Sequence, residues 1–169
     1  MALSKIQAES MNLADTYAFS GTVSGTSVAG SAAFLARATA TAWASEDAND
    51  ILSFNNVSIG DAFDTDSVYN TTTYKFVAPA TGIYTFWYSV YTANTDTVNA
   101  FAFLKNSARL DVNVSTGKSF SYWNGSQNDH IQTAKVIISL TNADTIAVVP
   151  SQTSDWHPSL SCWGGCRLA

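Results

Sequence analysis

The sequence predicts an all-β chain: a two-sheet jelly-roll sandwich of about ten strands, preceded by an extended N-terminal arm. Three observations predict it. From residue 31 onward, short apolar runs alternate with turn clusters at a spacing of roughly 8–15 residues, and no window sustains a helical period. Tyr84, Phe86, Tyr88 and Val90 recur at period two, which sets four large side chains on one face of a single strand. Charged residues make up only 12% of the chain, against about a quarter in ordinary soluble proteins, and abundant Ser and Thr take over as solubilising residues.

Residues 1–30 differ in texture from the remainder. Ile6, Met11, Leu13, Tyr17 and Phe19 are spaced hydrophobes in a background of Ser, Thr, Gly and Ala, and 21–27 reads as a connector. This segment is read as an arm that docks on another subunit, which makes those five residues the candidate particle anchor. Residues 31–169 form the sandwich domain, with strands expected near 32–43, 51–59, 68–78, 82–92, 98–106, 108–115, 118–123, 130–140, 144–149 and 160–168. The turns between them are marked by Pro79-Ala80-Thr81-Gly82, Asn94-Thr95-Asp96, Thr116-Gly117, Asn124-Gly125-Ser126 and Asn142-Ala143-Asp144. In the first of these, Pro sets one φ and Gly is expected to supply the unusual one. Alternation selects Phe34, Phe54, Phe76, Tyr84, Phe86, Tyr88, Phe103, Val136, Ile138 and Leu140 for the core. The opposite face of the 82–92 strand carries Thr85, Trp87, Ser89 and Tyr91, half polar and half aromatic, and meets something other than plain water.

The spacing of Tyr69, Phe76, Gly82, Tyr84, Phe86 and Tyr88 resembles the globular head domain of complement C1q and its tumour-necrosis-factor-like relatives. Weaker matches follow in the expected order. Phe103-Leu104-Lys105-Asn106 resembles the family's L-x-K-N-G with Ser107 in place of Gly. Residues 136–146 resemble its late strand–turn–strand with Ala143 in place of the turn Gly, and 163–168 resemble its closing strand. Phe54 lies about four residues too far from Tyr69, so residues 58–67 hold a longer loop than the family's. The resemblance implies a homotrimer. Trp87, Tyr91 and Trp163 are the candidate interface residues, because a monomer would leave that apolar surface wet. Separately, residues 3–23 resemble short segments of phage tail-fibre and other virion proteins.

Charge and composition exclude several functions. With a net charge of −5 and no run of Lys or Arg, the chain lacks the basic footprint of a nucleic-acid binder. No stretch reaches the roughly 20 apolar residues of a membrane helix, and the N-terminus lacks the apolar run of a signal peptide. Synthesis in a host cytoplasm and a final place in a virion are therefore expected.

Asp61, Asp64 and Asp66 crowd the long loop and are the candidate metal ligands. Calcium is the ion that such carboxylates would suit, and the resembling family includes calcium binders. The EF-hand Gly and Glu are missing, which favours a solvated acidic loop, so no cofactor is expected. His130 and His157 stand beside Asp129 and Asp155, but no G-x-S-x-G or H-E-x-x-H accompanies them, so no catalytic residue is assigned. Cys162 and Cys166 are four residues apart, which spans about 13 Å in an extended strand, too far for a disulfide. They are expected to be free thiols. Sequons at Asn56, Asn70, Asn113 and Asn124 are read as chance in so Ser/Thr-rich a chain. Trp43, Trp87, Trp123, Trp156 and Trp163 are read as core and interface, with a sugar site as the sharper alternative.

The function expected is a non-enzymatic trimeric capsid decoration (cement) protein of a phage. Its partners would be its own copies and a major capsid protein or another virion protein. One alternative is a tail-fibre adhesin that binds a receptor or host-surface glycan; another is a secreted C1q-like binding protein.

Overall fold

The computed structural model describes residues 32–92, 99–110, 121–123 and 130–169, the segment 121–123 as backbone. The five anchor candidates between Ile6 and Phe19, the sequons at Asn113 and Asn124, and Asp129 lie outside these residues, as do parts of the strands expected at 108–115 and 118–123.

Two antiparallel sheets enclose one core. The first contains β1 (Ala33–Arg37), β3 (Phe63–Asp64), β6 (Gly82–Thr92), β10 (His130–Leu140) and β13 (Cys162–Arg167), in the order β10-β6-β13-β1-β3. The second contains β4 (Tyr69–Asn70), β5 (Lys75–Val77), β7 (Asn99–Lys105), β8 (Ala108–Leu110), β9 (Ser121–Trp123) and β11 (Thr145–Pro150). Its order is β4-β5-β11-β7-β8, with β9 also paired to β7. A separate ribbon joins β2 (Ala44–Glu46) to β12 (Ser154–Trp156). The fold is an all-β jelly roll.

Each sheet sends its inner residues to an aromatic centre. Phe34 stacks on Tyr69 at 5.0 Å and meets Trp163 edge-on at 4.7 Å, while Phe76 packs against Phe86 at 5.0 Å. Eight of the ten expected core residues are buried; Val136 and Ile138 are partly buried and pack against the same cluster. Both lie on β10, an edge strand paired only to β6 among the described residues, so one side of each meets solvent. The tyrosine hydroxyls inside are satisfied. The Tyr69 hydroxyl donates to the Phe54 carbonyl at 2.7 Å, and that of Tyr88 to the Phe101 carbonyl at 2.8 Å. Burial raises the Tyr69 pKa well above the ordinary phenol value.

Strands 82–92 and 130–140 have the bounds the alternation predicts, and their register joins Trp87 to Lys135 and Phe86 to Val136. The strand expected at 32–43 ends at Arg37, and two others differ because asparagine side chains compete for the backbone. Asn70 Oδ1 accepts from the Thr72 and Thr73 amides, both at 2.9 Å, and splits 68–78 into β4 and β5. Asn56 Oδ1 does the same with Ser58 at 2.7 Å and Ile59 at 2.8 Å. Residues 51–59 are thus not a strand, although Leu52 still donates to the Val148 carbonyl at 3.0 Å. Both sequon asparagines therefore have a local structural role.

The turn glycine also differs from expectation. Gly82 does not have positive φ; it is needed for space, because a Cβ there would strike the Ala169 carbonyl oxygen. The left-handed backbone falls instead on Asn106 and Ser107 (φ 48° and 69°) and on Ala143 (φ 69°), two of which stand where the resembling family uses glycine. An ion-pair network secures this end of the sandwich. The Asp144 carboxylate accepts from Asn106 Nδ2 at 2.6 Å, from the Thr141 amide at 2.9 Å and from Lys105 Nζ at 3.0 Å. These donors, Asn106 first, hold its pKa well below the usual carboxylate range.

Candidate functional site

The outer face of the five-stranded sheet is built by the alternate residues of its strands. The cross-strand register lines up Lys135, Trp87, Gly164, Leu35 and Phe63 in one row, and Ile137, Thr85, Cys166 and Ala33 in the next. Leu35 and Thr85 at its centre are buried, but its isoleucine, phenylalanine and tryptophan side chains are not. Phe63 is 44% exposed, Ile83 39%, Trp87 37%, Ile131 60% and Ile137 63%. Between β1, β3, β6 and β13 the face sinks into an apolar cavity of about 290 Å³ lined by Leu35, Phe63, Thr85, Trp87 and Cys166. Gly164 makes room for its wall: a Cβ there would lie 2.7 Å from the Phe34 carbonyl oxygen and 3.3 Å from the Trp87 ring. The Thr85 hydroxyl is buried in this cavity with no hydrogen-bond partner among the described residues, an unusual state for a buried polar atom.

The sequence-selected residues fall in different places. Trp87 stands on this outer face. Tyr91 also points outward, but at the end of β6, where it stacks on Trp43 at 5.7 Å. The interface assignment of Trp163 is corrected: it is fully buried in the core, donating through Nε1 to the Tyr69 hydroxyl at 3.4 Å. β13 alternates, so Trp163 points inward while its neighbours Cys162, Gly164 and Cys166 point outward. Sequence reasoning missed Phe63, Ile83, Ile131 and Ile137. The signal was the uninterrupted Val136-Ile137-Ile138, since an alternating strand with one wet face would not place an isoleucine at its centre.

The three loop aspartates do not converge. Asp61 pairs with Arg37 Nε at 2.7 Å, an interaction that lowers its pKa. Asp64 turns back to accept the amides of Val68 at 2.9 Å and Tyr69 at 3.0 Å, and Asp66 is exposed. Among the described residues no group of three His, Cys, Asp or Glu side chains is placed to hold a metal ion, so the candidate ligand set is corrected to loop-shaping contacts. The lengthened loop instead carries β3, which adds an edge to the five-stranded sheet.

Both cysteines are free and half-buried, and burial raises the pKa of Cys162. His130 Nε2 lies 2.8 Å from the Thr92 hydroxyl, and His157 Nδ1 lies 3.3 Å from that of Ser159.

A family model described as the C1q domain matches residues 33–156. No curated protein sequence matches the chain. Among solved structures, the globular domain of zebrafish complement 1qA superposes with a TM-score of 0.60 at 13% identity, over 82% of this chain and 98% of that one. The Eiger TNF of S. frugiperda gives 0.58 at 11% identity, over 82% and 92%. Murine APRIL gives 0.58 at 10%, over 81% and 98%. At these identities the likeness is one of fold.

Proposed function

We propose, on the premise that this chain belongs to the C1q domain family, that it is a non-enzymatic homotrimer serving as a capsid decoration protein of a phage particle. The observation that carries the assembly is the bare apolar outer face of the five-stranded sheet. Isolated surface hydrophobes are normal, but Phe63, Ile83, Trp87, Ile131 and Ile137 share one sheet face, and contiguous apolar surface of this kind marks an interface.

The two edges of that face are unlike. At β10, Ile131 and Ile137 protrude on either side of Lys135, which has no carboxylate within ion-pair reach among the described residues. At β3 lies the cavity, with Phe63 set between Asp61, Asp64 and Asp66. Unlike edges favour head-to-tail packing, which closes into a ring when the rotation permits. The family resemblance implies a ring of three. Light scattering should give close to three times 18.0 kDa, and a clean monomer would sink the assembly.

The particle role rests on residues 1–30, whose spaced hydrophobes suit an arm clasped by a capsid protein, and on the low charge of the chain. Deleting residues 1–25 tests it. A truncated trimer that folds but no longer joins particles makes the arm the anchor, and full occupancy without the arm ends the decoration reading. A second reading, a glycan-binding adhesin, is favoured by the exposed ring of Trp43 at one end of the sandwich. Labelled protein over the whole shell supports decoration, label at the tail supports adhesion, and label on neither supports a secreted binding protein.

A further inference from the structure

We infer that Trp43, Tyr91 and His157 form a platform that binds a neutral pyranose ring through its C–H face. The inference deepens the glycan-binding reading and uses neither the trimer nor the particle anchor.

The three residues come from separate parts of the chain and meet at the open end of β6. Trp43 precedes β2, Tyr91 is the penultimate residue of β6, and His157 follows β12. The Trp43 and Tyr91 rings stack at 5.7 Å and 29°. The His157 ring stands edge-on to Trp43 at 5.0 Å and 81°, and to Tyr91 at 6.3 Å. Trp43 remains 46% exposed. Tyr91 packs against one face of its indole.

The platform is rigid before any ligand arrives. The His157 amide donates to the Tyr91 carbonyl at 2.8 Å. The buried Ser161 hydroxyl accepts from the Tyr91 amide at 2.9 Å and donates to the His157 carbonyl at 2.8 Å, so one side chain locks both residues. Trp156, fully buried beside His157, pins β12 to the core. Rings held this way lose little conformational freedom on binding, which is the condition under which a small contact area gives useful affinity.

The chemistry of the platform selects the ligand. A flat, electron-rich indole attracts the partly positive C–H groups that line one face of a pyranose, and indole is the largest side chain that offers such a face. The imidazole of His157 stands beside it as a hydrogen-bonding group. The Ser159 hydroxyl lies 3.3 Å from His157 Nδ1, so Nε2 is the ring nitrogen left to meet a sugar hydroxyl, as donor or acceptor according to the tautomer. Trp43 and His157 are joined through the β2–β12 ribbon, whose register pairs Trp156 with Ala44, so stacking surface and imidazole move as one body.

The test uses the full chain and a panel of methyl glycosides of glucose, galactose and mannose in both anomers. Saturation-transfer NMR and tryptophan fluorescence report binding. At least one glycoside should bind saturably, with the strongest transfer to the C–H protons of one ring face. Trp43→Ala should weaken it by about tenfold, and His157→Ala should weaken it by a smaller factor. Light scattering and particle attachment of the same variants should stay at wild-type values, which separates failure of this site from failure of the assembly. Absence of saturable binding across the panel overturns the inference, as does binding that Trp43→Ala leaves unchanged.

Discussion

The outer faces of the two sheets start from similar residues and end in opposite conditions. On the six-stranded sheet, Ala102, Leu104, Ala147 and Val149 point away from the main core, yet all are 9% exposed or less, and Ile51 packs on them as a second small cluster. On the five-stranded sheet, Phe63, Ile83, Trp87, Ile131 and Ile137 also point away from the core and are 37–63% exposed. The chain covers one face itself, by laying the segment that leads to Leu52 along β11. It leaves these residues of the other face exposed. An apolar sheet face is therefore informative only together with its cover: buried apolar residues contribute stability on one side, and on the assembly proposed above the exposed ones serve association on the other.

Phe86 lies on the inner face shared by both sheets, so Phe86→Ala should lower unfolding free energy by about 3–5 kcal/mol in urea titrations. The contrast between the outer faces is sharper. Val149→Ala on the covered face should cost roughly 1.5–2.5 kcal/mol and leave the mass in light scattering unchanged. Ile137→Lys on the bare face should leave monomer stability within about 0.5 kcal/mol and reduce the mass to that of a single chain. If Ile137→Lys unfolds the chain while keeping its mass, the two faces are not different in kind.

Smaller effects probe the end of the sandwich where the sheets are tied together. Ala143 holds φ 69°, which glycine adopts without Cβ strain, so Ala143→Gly should raise stability by about 1 kcal/mol. A loss would mean the alanine methyl contributes more than the strain costs. Asp144 sets an acid limit. Its folded pKa is depressed below the unfolded value of about 3.9, so its contribution is present above that pH and is lost as pH falls further toward the folded value. Wild type should therefore lose stability below about pH 4 more steeply than Asp144→Asn, measured as urea midpoints across the acid range. Parallel curves would remove Asp144 from the account.

Much of the fold was legible in the residues. Period-two alternation placed β6 and β10 to the residue, because eleven-residue strands accumulate enough pattern to override local preferences. The shorter segments were not legible. Asn56 and Asn70 end extended runs through side-chain bonds to the following amides, and their neighbours Val57 and Thr71-Thr72-Thr73 have the composition of a strand. The acidic loop misled for a related reason. Three aspartates within six residues suggest convergence, but Arg37 lies 24 positions from Asp61, and the pairing comes from the chain's return to β1.

The sharpest division between sequence and structure runs through β13. Alternation by itself separates Cys162, Gly164 and Cys166 from Trp163 and Gly165 and says nothing about which set faces inward. Both sets mix a bulky or reactive residue with glycine, so hydrophobicity does not choose between them. The choice was made by neighbours distant in sequence. β13 lies between β1 and β6 with Trp163 opposite Ala36 and Tyr88, which turns the indole into the sandwich beside Phe34 and Tyr69. The same register leaves Gly164 beneath Trp87 on the outside. Period is a property of one strand and is written locally in the residues. Which face is inner is a property of the sheet, decided only when strands from both ends of the chain bury their apolar residues together.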